Sequence, residues 1–121
     1  MSNACVWFEI YVQDMDRAKR FYETVLATKL EKLDSGDMEM WGFPADQASY
    51  GAGGALVKMQ GVPSGGSSLV YFGAEDAAVP EGRVKAAGGS VSKPKFSIGK
   101  YGFIALAVDT EGNMFGLHSM K

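Results

Sequence analysis

Residues 6–27 read VWFEIYVQDMDRAKRFYETVLA, and the change of period inside this stretch decides the fold. Val6 to Val12 is aromatic and β-branched, which favours a strand. From Asp14 the period changes. Met15, Ala18, Phe21, Tyr22, Val25 and Leu26 fall at helical spacing and make one apolar stripe. Asp14 suits the N-cap, and Asp16 in the first turn complements the helix dipole. The chain therefore opens with a strand followed by an amphipathic helix.

Three short strands are predicted next, at 29–34, 38–43 and 55–60. SGD separates the first two, and a loop rich in Gly, Ala and Ser (44–54) precedes the third. GVPSGGSS (61–68) reads as a linker. The pattern then restarts: a strand at 68–74, a short helix in VPEGRVKAAGG with Pro80 in its first turn and Gly88 or Gly89 closing it, then strands at 90–96, 101–109 and 114–120. DTEGN (109–113) joins the last two with hairpin-turn chemistry. Each half is β-α-β-β-β, and VWFEIYVQDMDRA is weakly echoed by SLVYFGAEDAAVP. The fold class is α+β: a single domain over 1–121, built by duplication from module 5–62 and module 67–121. Chance recurrence of the same element order is the alternative.

At 121 residues, 46% hydrophobic and 21% charged, the chain suits one globular domain with a core. The formal net charge of −2 argues against a nucleic-acid partner. No apolar run approaches the roughly 20 residues that span a bilayer, and no basic segment leads into an apolar one. The single Cys5 allows no internal disulfide and fits a cytoplasmic location. One His and one Cys exclude a structural zinc site of the Cys/His type. GAGGAL (51–56) leads into a strand rather than a helix, and GVPSGGSS lacks a Lys-Ser/Thr ending, so neither signals a nucleotide.

Four segments carry a family resemblance: V-x-D-M-D-R-A-K-R-F-Y (Val12 to Tyr22), R-V-K-A-A-G-G (Arg83 to Gly89), Y-G-F-I-A (Tyr101 to Ala105) and D-T-E-G-N (Asp109 to Asn113). Together they resemble the vicinal oxygen chelate superfamily of glyoxalases, bleomycin-resistance proteins and extradiol dioxygenases. The resemblance covers essentially the whole chain. It implies two βαβββ modules whose curled sheets enclose a substrate cleft, and a homodimer. In metal-dependent members four strand positions supply His, Glu or Gln to a divalent ion. Here those positions fall on Trp7, near Leu69, on Gly116, and on Val57 or Lys58 depending on a one-residue register. None is a metal ligand, so no cofactor is expected. A divalent ion held by atypical ligands, Glu9 and His118 among them, is the alternative.

Strand alternation puts Glu9 and Tyr11 on the face of Trp7, and His118 on the face of Gly116. Glu9 and His118 are thus the candidate acid–base pair: a carboxylate beside an imidazole fixes its tautomer. Gly116 would leave room for substrate. A hydrogen-bonded structural pair is the competing reading. Trp7, Tyr11, Trp41 and Tyr101 are candidates for an aromatic cleft wall, or else core residues. Lys58 could meet an anionic group or be solvated. KPKFSIGKYG places Lys93, Lys95 and Lys100 around Phe96 and Ile98, either as a cover that attracts an acidic substrate or as a solvated loop. Phe96, Lys100 and Tyr101 complete the candidate ligand-binding set. The expected function is binding of a small organic molecule. The alternatives are a metal-dependent lyase, isomerase or dioxygenase, and a drug-sequestering resistance protein.

Overall fold

A computed structural model describes residues 3–46, 48, 51–65 and 68–121. Gln47, Ser49 and Tyr50 of the predicted loop, and Gly66 and Ser67 of the predicted linker, lie outside the described residues. The element order is β1 (Cys5–Tyr11), α1 (Met15–Leu26), β2 (Glu31–Lys32), β3 (Glu39–Gly42), β4 (Gly53–Lys58), then β5 (Ser68–Gly73), α2 (Ala78–Val84), β6 (Ser90–Ser97), β7 (Phe103–Val108) and β8 (Met114–Ser119). A short 3₁₀ turn, Gly99–Tyr101, precedes β7. The fold is α+β with two βαβββ modules.

The chain forms two compact units, Trp7–Ser68 and a second made of Met1–Val6 with Leu69–Lys121. The described residues before Trp7 join the second unit, where Gly73 N donates to the Ala4 carbonyl at 3.1 Å. In the first unit the strand order is β2-β3-β4-β1, with β1 parallel to β4 and the other pairs antiparallel. In the second unit β5 is parallel to β8, β8 antiparallel to β7, and β7 antiparallel to β6. Each module therefore repeats one scheme: its first strand pairs in parallel with its last.

Helix α1 starts where the sequence says. Asp14 is extended (φ −126°, ψ 101°), and its carboxylate accepts from Arg17 N at 3.1 Å. The helix ends on Ala27 in the left-handed region at φ 51°, whose N–H bonds back into the last turn. Only part of the predicted apolar stripe is covered. Met15 is buried, and Ala18 and Tyr22 pack with Val12, Leu30, Leu56, Ile10, Trp41 and Phe43. Phe21, Val25 and Leu26 are exposed.

Two boundaries differ from the sequence reading, both because of pairing. Strand β4 begins at Gly53, inside the predicted loop, since Gly53 and Gly54 pair with Trp7 and Phe8. A Cβ on Gly54 would stand 2.5 Å from the Phe8 ring, so that glycine serves packing rather than a turn. The strand predicted at 90–96 is β6, which runs to Ser97 and so takes in the first half of KPKFSIGKYG, read as a cover or a solvated loop; it pairs with β7 with two register shifts. Helix α2 carries Pro80 in its first turn, as predicted. Gly88 (φ +102°) and Gly89 follow, and Gly89 N donates to the Val84 carbonyl at 3.0 Å.

Candidate functional site

In the first unit, Phe8 and Ile10 of β1, with Val12 just past its end, lie on the face of Phe43 and α1, and Trp7, Glu9 and Tyr11 on the other. That second face is built on Met40, Ala55 and Val57, with Leu33 beside them. Trp7 Nε1 donates to Glu9 Oε2 at 3.1 Å, and the Tyr11 hydroxyl donates to Glu9 Oε1 at 2.9 Å. Glu9 as a residue is only 8% exposed, and both its carboxylate oxygens are engaged by aromatic donors at i−2 and i+2. Burial, then the Glu9 charge and the hydrogen bond to it, push the Tyr11 phenol well above its ordinary value. Tyr11 therefore stays a donor throughout the physiological range.

Two residues expected near this group stand elsewhere. Trp41 pairs with Leu56 and packs on the α1 face. Lys19 Nζ lies 3.3 Å from its ring centroid, and its Nε1 donates to Glu39 at 3.1 Å. Of the four candidates for an aromatic wall or core, Trp7 and Tyr11 share a face, and the β3–β4 register puts Trp41 across the sheet from both. Lys58 is exposed and pairs in register with Glu39. The one-residue ambiguity resolves to Val57, which is 1% exposed, pairs with Tyr11 and packs on its face. Lys58 is on the other side.

In the second unit, Phe96 pairs with Ile104, Ile104 with His118, and His118 with Gly73, so one row crosses four strands. His118 Nε2 donates to the Tyr101 carbonyl at 2.7 Å. A carbonyl only accepts, so this bond fixes the Nε2–H tautomer of the neutral ring and leaves Nδ1 as an acceptor. Tyr101 contributes its backbone here; the residue is 40% exposed, with Lys100 Nζ 5.3 Å from the ring centroid. Gly116 does not open space. A Cβ there would run into the Tyr71 ring, which lies over it in the parallel β5–β8 register.

The basic segment is less available than its sequence implies. Lys95 Nζ bonds Asp76 at 2.7 Å and lies 4.8 Å from the Phe103 centroid. That hydrogen bond, with one from Ala78 N, holds the Asp76 carboxyl below the usual range. Lys93 Nζ lies 4.1 Å from the Phe96 centroid.

The positions that the family resemblance assigns to metal ligands hold an indole (Trp7), two aliphatic groups (Val57 and the 7%-exposed Leu69) and a glycine covered by a ring (Gly116). These residues do not fit a divalent ion, which needs converging oxygen, nitrogen or thiolate donors. Among the described residues, no three His, Cys, Asp or Glu side chains gather in one place. No described helix is long and apolar enough to cross a membrane.

The sequence reading missed Tyr71. Alternation marks Leu69, Tyr71 and Gly73 as one face, but only the β5–β8 register sets the ring on Gly116.

The comparisons agree with this architecture. A family model described as bleomycin resistance protein-like N-terminal matches residues 5–40. No curated protein matches. Among solved structures, a hypothetical protein from Bacillus halodurans C-125 is similar with a TM-score of 0.73 at 16% identity, over 100% of this chain and 96% of that one. A Streptomyces coelicolor methylmalonyl-CoA epimerase in complex with 2-nitronate-propionyl-CoA is similar with a TM-score of 0.71 at 14% identity, over 98% of both chains. The methylmalonyl-CoA epimerase of Mycobacterium tuberculosis gives 0.70 at 15% identity, over 98% of this chain and 88% of that one.

Proposed function

We propose that this chain, which has the fold of the vicinal oxygen chelate superfamily and is bleomycin-resistance-protein-like over residues 5–40, binds a small organic molecule without the superfamily's metal. The observation that carries this reading is the Glu9 carboxylate, with one oxygen taking the Trp7 N–H and the other the Tyr11 O–H. An aromatic face with one oriented polar group at its centre has the chemistry of a small-molecule site. The non-ligating side chains at the expected metal positions support the metal-free part of the reading. Epimerase neighbours that hold an acyl-CoA analogue support an organic ligand. The homodimer implied by the family resemblance belongs to this reading, and the exposed Phe21, Val25 and Leu26 of α1 support it.

A second reading, acid–base chemistry, is favoured by one observation. The Tyr101 carbonyl commits Nε2 of His118 as a donor, which leaves Nδ1 as the proton acceptor. Replacement of His118 by Gln separates the two. A binder keeps most of its affinity, whereas an acid–base enzyme loses about 10²–10⁴-fold in turnover.

The deciding experiment is metal content by mass spectrometry on protein purified without a histidine tag. It is repeated after incubation with zinc, nickel, manganese and iron, with thermal shift in parallel. Metal-free protein that takes up none of these ions, yet is stabilised by members of an organic-ligand library, agrees with the proposal. A ligand at a hundred times its Kd adds about 2.7 kcal/mol. Near-stoichiometric metal that disappears in His118→Ala overturns it.

A further inference from the structure

The second unit keeps its acidic groups away from one side of its sheet. Ser119 Oγ takes Ala77 N, which marks the α2 side of β8. Strand alternation puts His118 on the other side. The register carries that side across Ile104 of β7 to Phe96 of β6. Lys93 reaches onto it, with Nζ 4.1 Å from the Phe96 centroid. The carboxylates of this unit are placed elsewhere. Glu75 pairs with Lys121, and Asp76 with Lys95, whose backbone N–H goes to Glu81. Asp109 and Glu111 belong to the turn at the opposite end of β7 and β8 from Ile104 and His118.

Phe96, Ile104 and His118 are half-buried, so part of each stays at the surface. The Phe96 ring attracts the Lys93 ammonium but carries no net charge to neutralise it. The Tyr101 carbonyl takes Nε2–H of His118, which leaves Nδ1 as the acceptor of the ring. Neighbouring strands lie about 4.8 Å apart, so Phe96 and His118 stand about 10 Å apart with Ile104 between them. A hydrogen bond of about 3 Å at the imidazole end leaves a bridging molecule with polar ends about 6–7 Å apart. An anionic end gains from the ammonium, and a cationic end is repelled by it. A hydroxyl or N–H at the far end gains from Nδ1, and a methyl there gains nothing polar.

We infer that this side of the second unit binds an organic anion with an apolar body and a hydroxyl or N–H at its far end. The anionic group meets Lys93, the body lies over Phe96 and Ile104, and the far end donates to Nδ1 of His118. This goes beyond the small-molecule reading above, which is carried by Glu9 of the first unit, and it stands on residues of the second unit alone.

The test uses four probes of one shape. They are trans-4-(hydroxymethyl)cyclohexanecarboxylate, the donor-free trans-4-methylcyclohexanecarboxylate, the neutral diol trans-1,4-cyclohexanedimethanol, and the cation trans-4-(hydroxymethyl)cyclohexylmethylammonium. The readout is the pair of imidazole ¹⁵N signals in protein without a histidine tag, which belong to His118 because the chain has one histidine. We expect the hydroxy acid to bind about three- to fivefold more tightly than the diol, the range of an exposed ion pair. It should bind about fivefold more tightly than the methyl acid, the range of one neutral hydrogen bond, and move Nδ1 farther. The cation should bind least. Lys93→Met keeps the stem and should bring the hydroxy acid to the diol's level while leaving the diol unchanged. His118→Phe, followed on backbone amide signals, should erase the advantage of hydroxyl over methyl. If His118→Phe loses its dispersed spectrum, the two acids compared on the wild-type Nδ1 signal decide the same point. Equal binding of hydroxy acid and diol, tighter binding of the cation, or equal binding of the two acids overturns the inference. Failure of all four probes to move the His118 signals also overturns it, and leaves the reading carried by Glu9 to its own ligand screen.

Discussion

The hydroxyl of Tyr11 donates to Oε1 of Glu9 at 2.9 Å, two residues away along the same strand. The bond supplies one partner of a buried carboxylate and fixes the ring that lies beside it. Tyr11→Phe takes the donor and keeps the ring. The expected cost is about 1–3 kcal/mol, the penalty for under-satisfying a buried acceptor, measured as a lower urea midpoint with an unchanged slope. Glu9→Gln should cost less than Tyr11→Phe, because it removes the buried charge as well as changing the partner.

The same phenol gives an alkaline signature. Its folded pKa is raised, so its contribution to stability is complete below the unfolded value of about 10 and is lost as pH rises beyond that. Between about pH 10 and pH 11 the wild-type chain should lose stability faster than Tyr11→Phe. Parallel loss in both proteins would show that Tyr11 titrates freely.

The turn at Asp109 gives the acid counterpart. Its carboxylate accepts from Asn113 N at 2.9 Å, Asn113 Nδ2 at 3.2 Å and Glu111 N at 2.8 Å, and these bonds hold it below the usual carboxylate range. A depressed pKa contributes stability above the unfolded value of about 4, and that contribution is lost as pH falls through the folded one. Asp109→Ala should therefore lower the melting temperature at pH 6 and matter less the further the pH falls below 4.

Ser119 ties α2 to the sheet. Its Oγ accepts from Ala77 N at 2.9 Å, with Ser119 at 2% and Ala77 at 0% exposure. Ser119→Ala leaves a buried N–H without that acceptor and should cost about 1–3 kcal/mol in chemical denaturation. Ser119→Cys, a weak acceptor of similar size, should fall between.

Gly116 admits no side chain while Tyr71 is present. Gly116→Ala should destabilise by about 1–3 kcal/mol through overpacking. In combination with Tyr71→Ala it should cost much less than the sum of the two single changes. Additive costs would mean that the ring moves aside freely.

Much of the first unit was readable because its signals are local. The switch from period two to helical period at Asp14, the N-cap and the grouping of Trp7, Glu9 and Tyr11 all follow from neighbours in sequence. The faces of Trp41 and Lys58 were not readable in this way, since each depends on the β3–β4 register, which is set by residues far apart in the chain. The helical stripe overstated burial. Periodicity finds an apolar side but not its width, and Phe21, Val25 and Leu26 extend past what the sheet covers. His118 could be placed on a strand, yet its tautomer is decided by the carbonyl of Tyr101, seventeen residues away. No spacing rule points there.

The ring of Tyr71 over Gly116 also imposes an order on change. Any residue larger than glycine at 116, a carboxylate or an imidazole included, becomes tolerable only after position 71 has lost its ring. Substitution first at 116 passes through a strained intermediate, while substitution first at 71 passes through one that merely has a gap. The pair works as a ratchet: one order of steps is open, the other is closed, and anyone introducing a ligand-bearing side chain at 116 must start on the neighbouring strand.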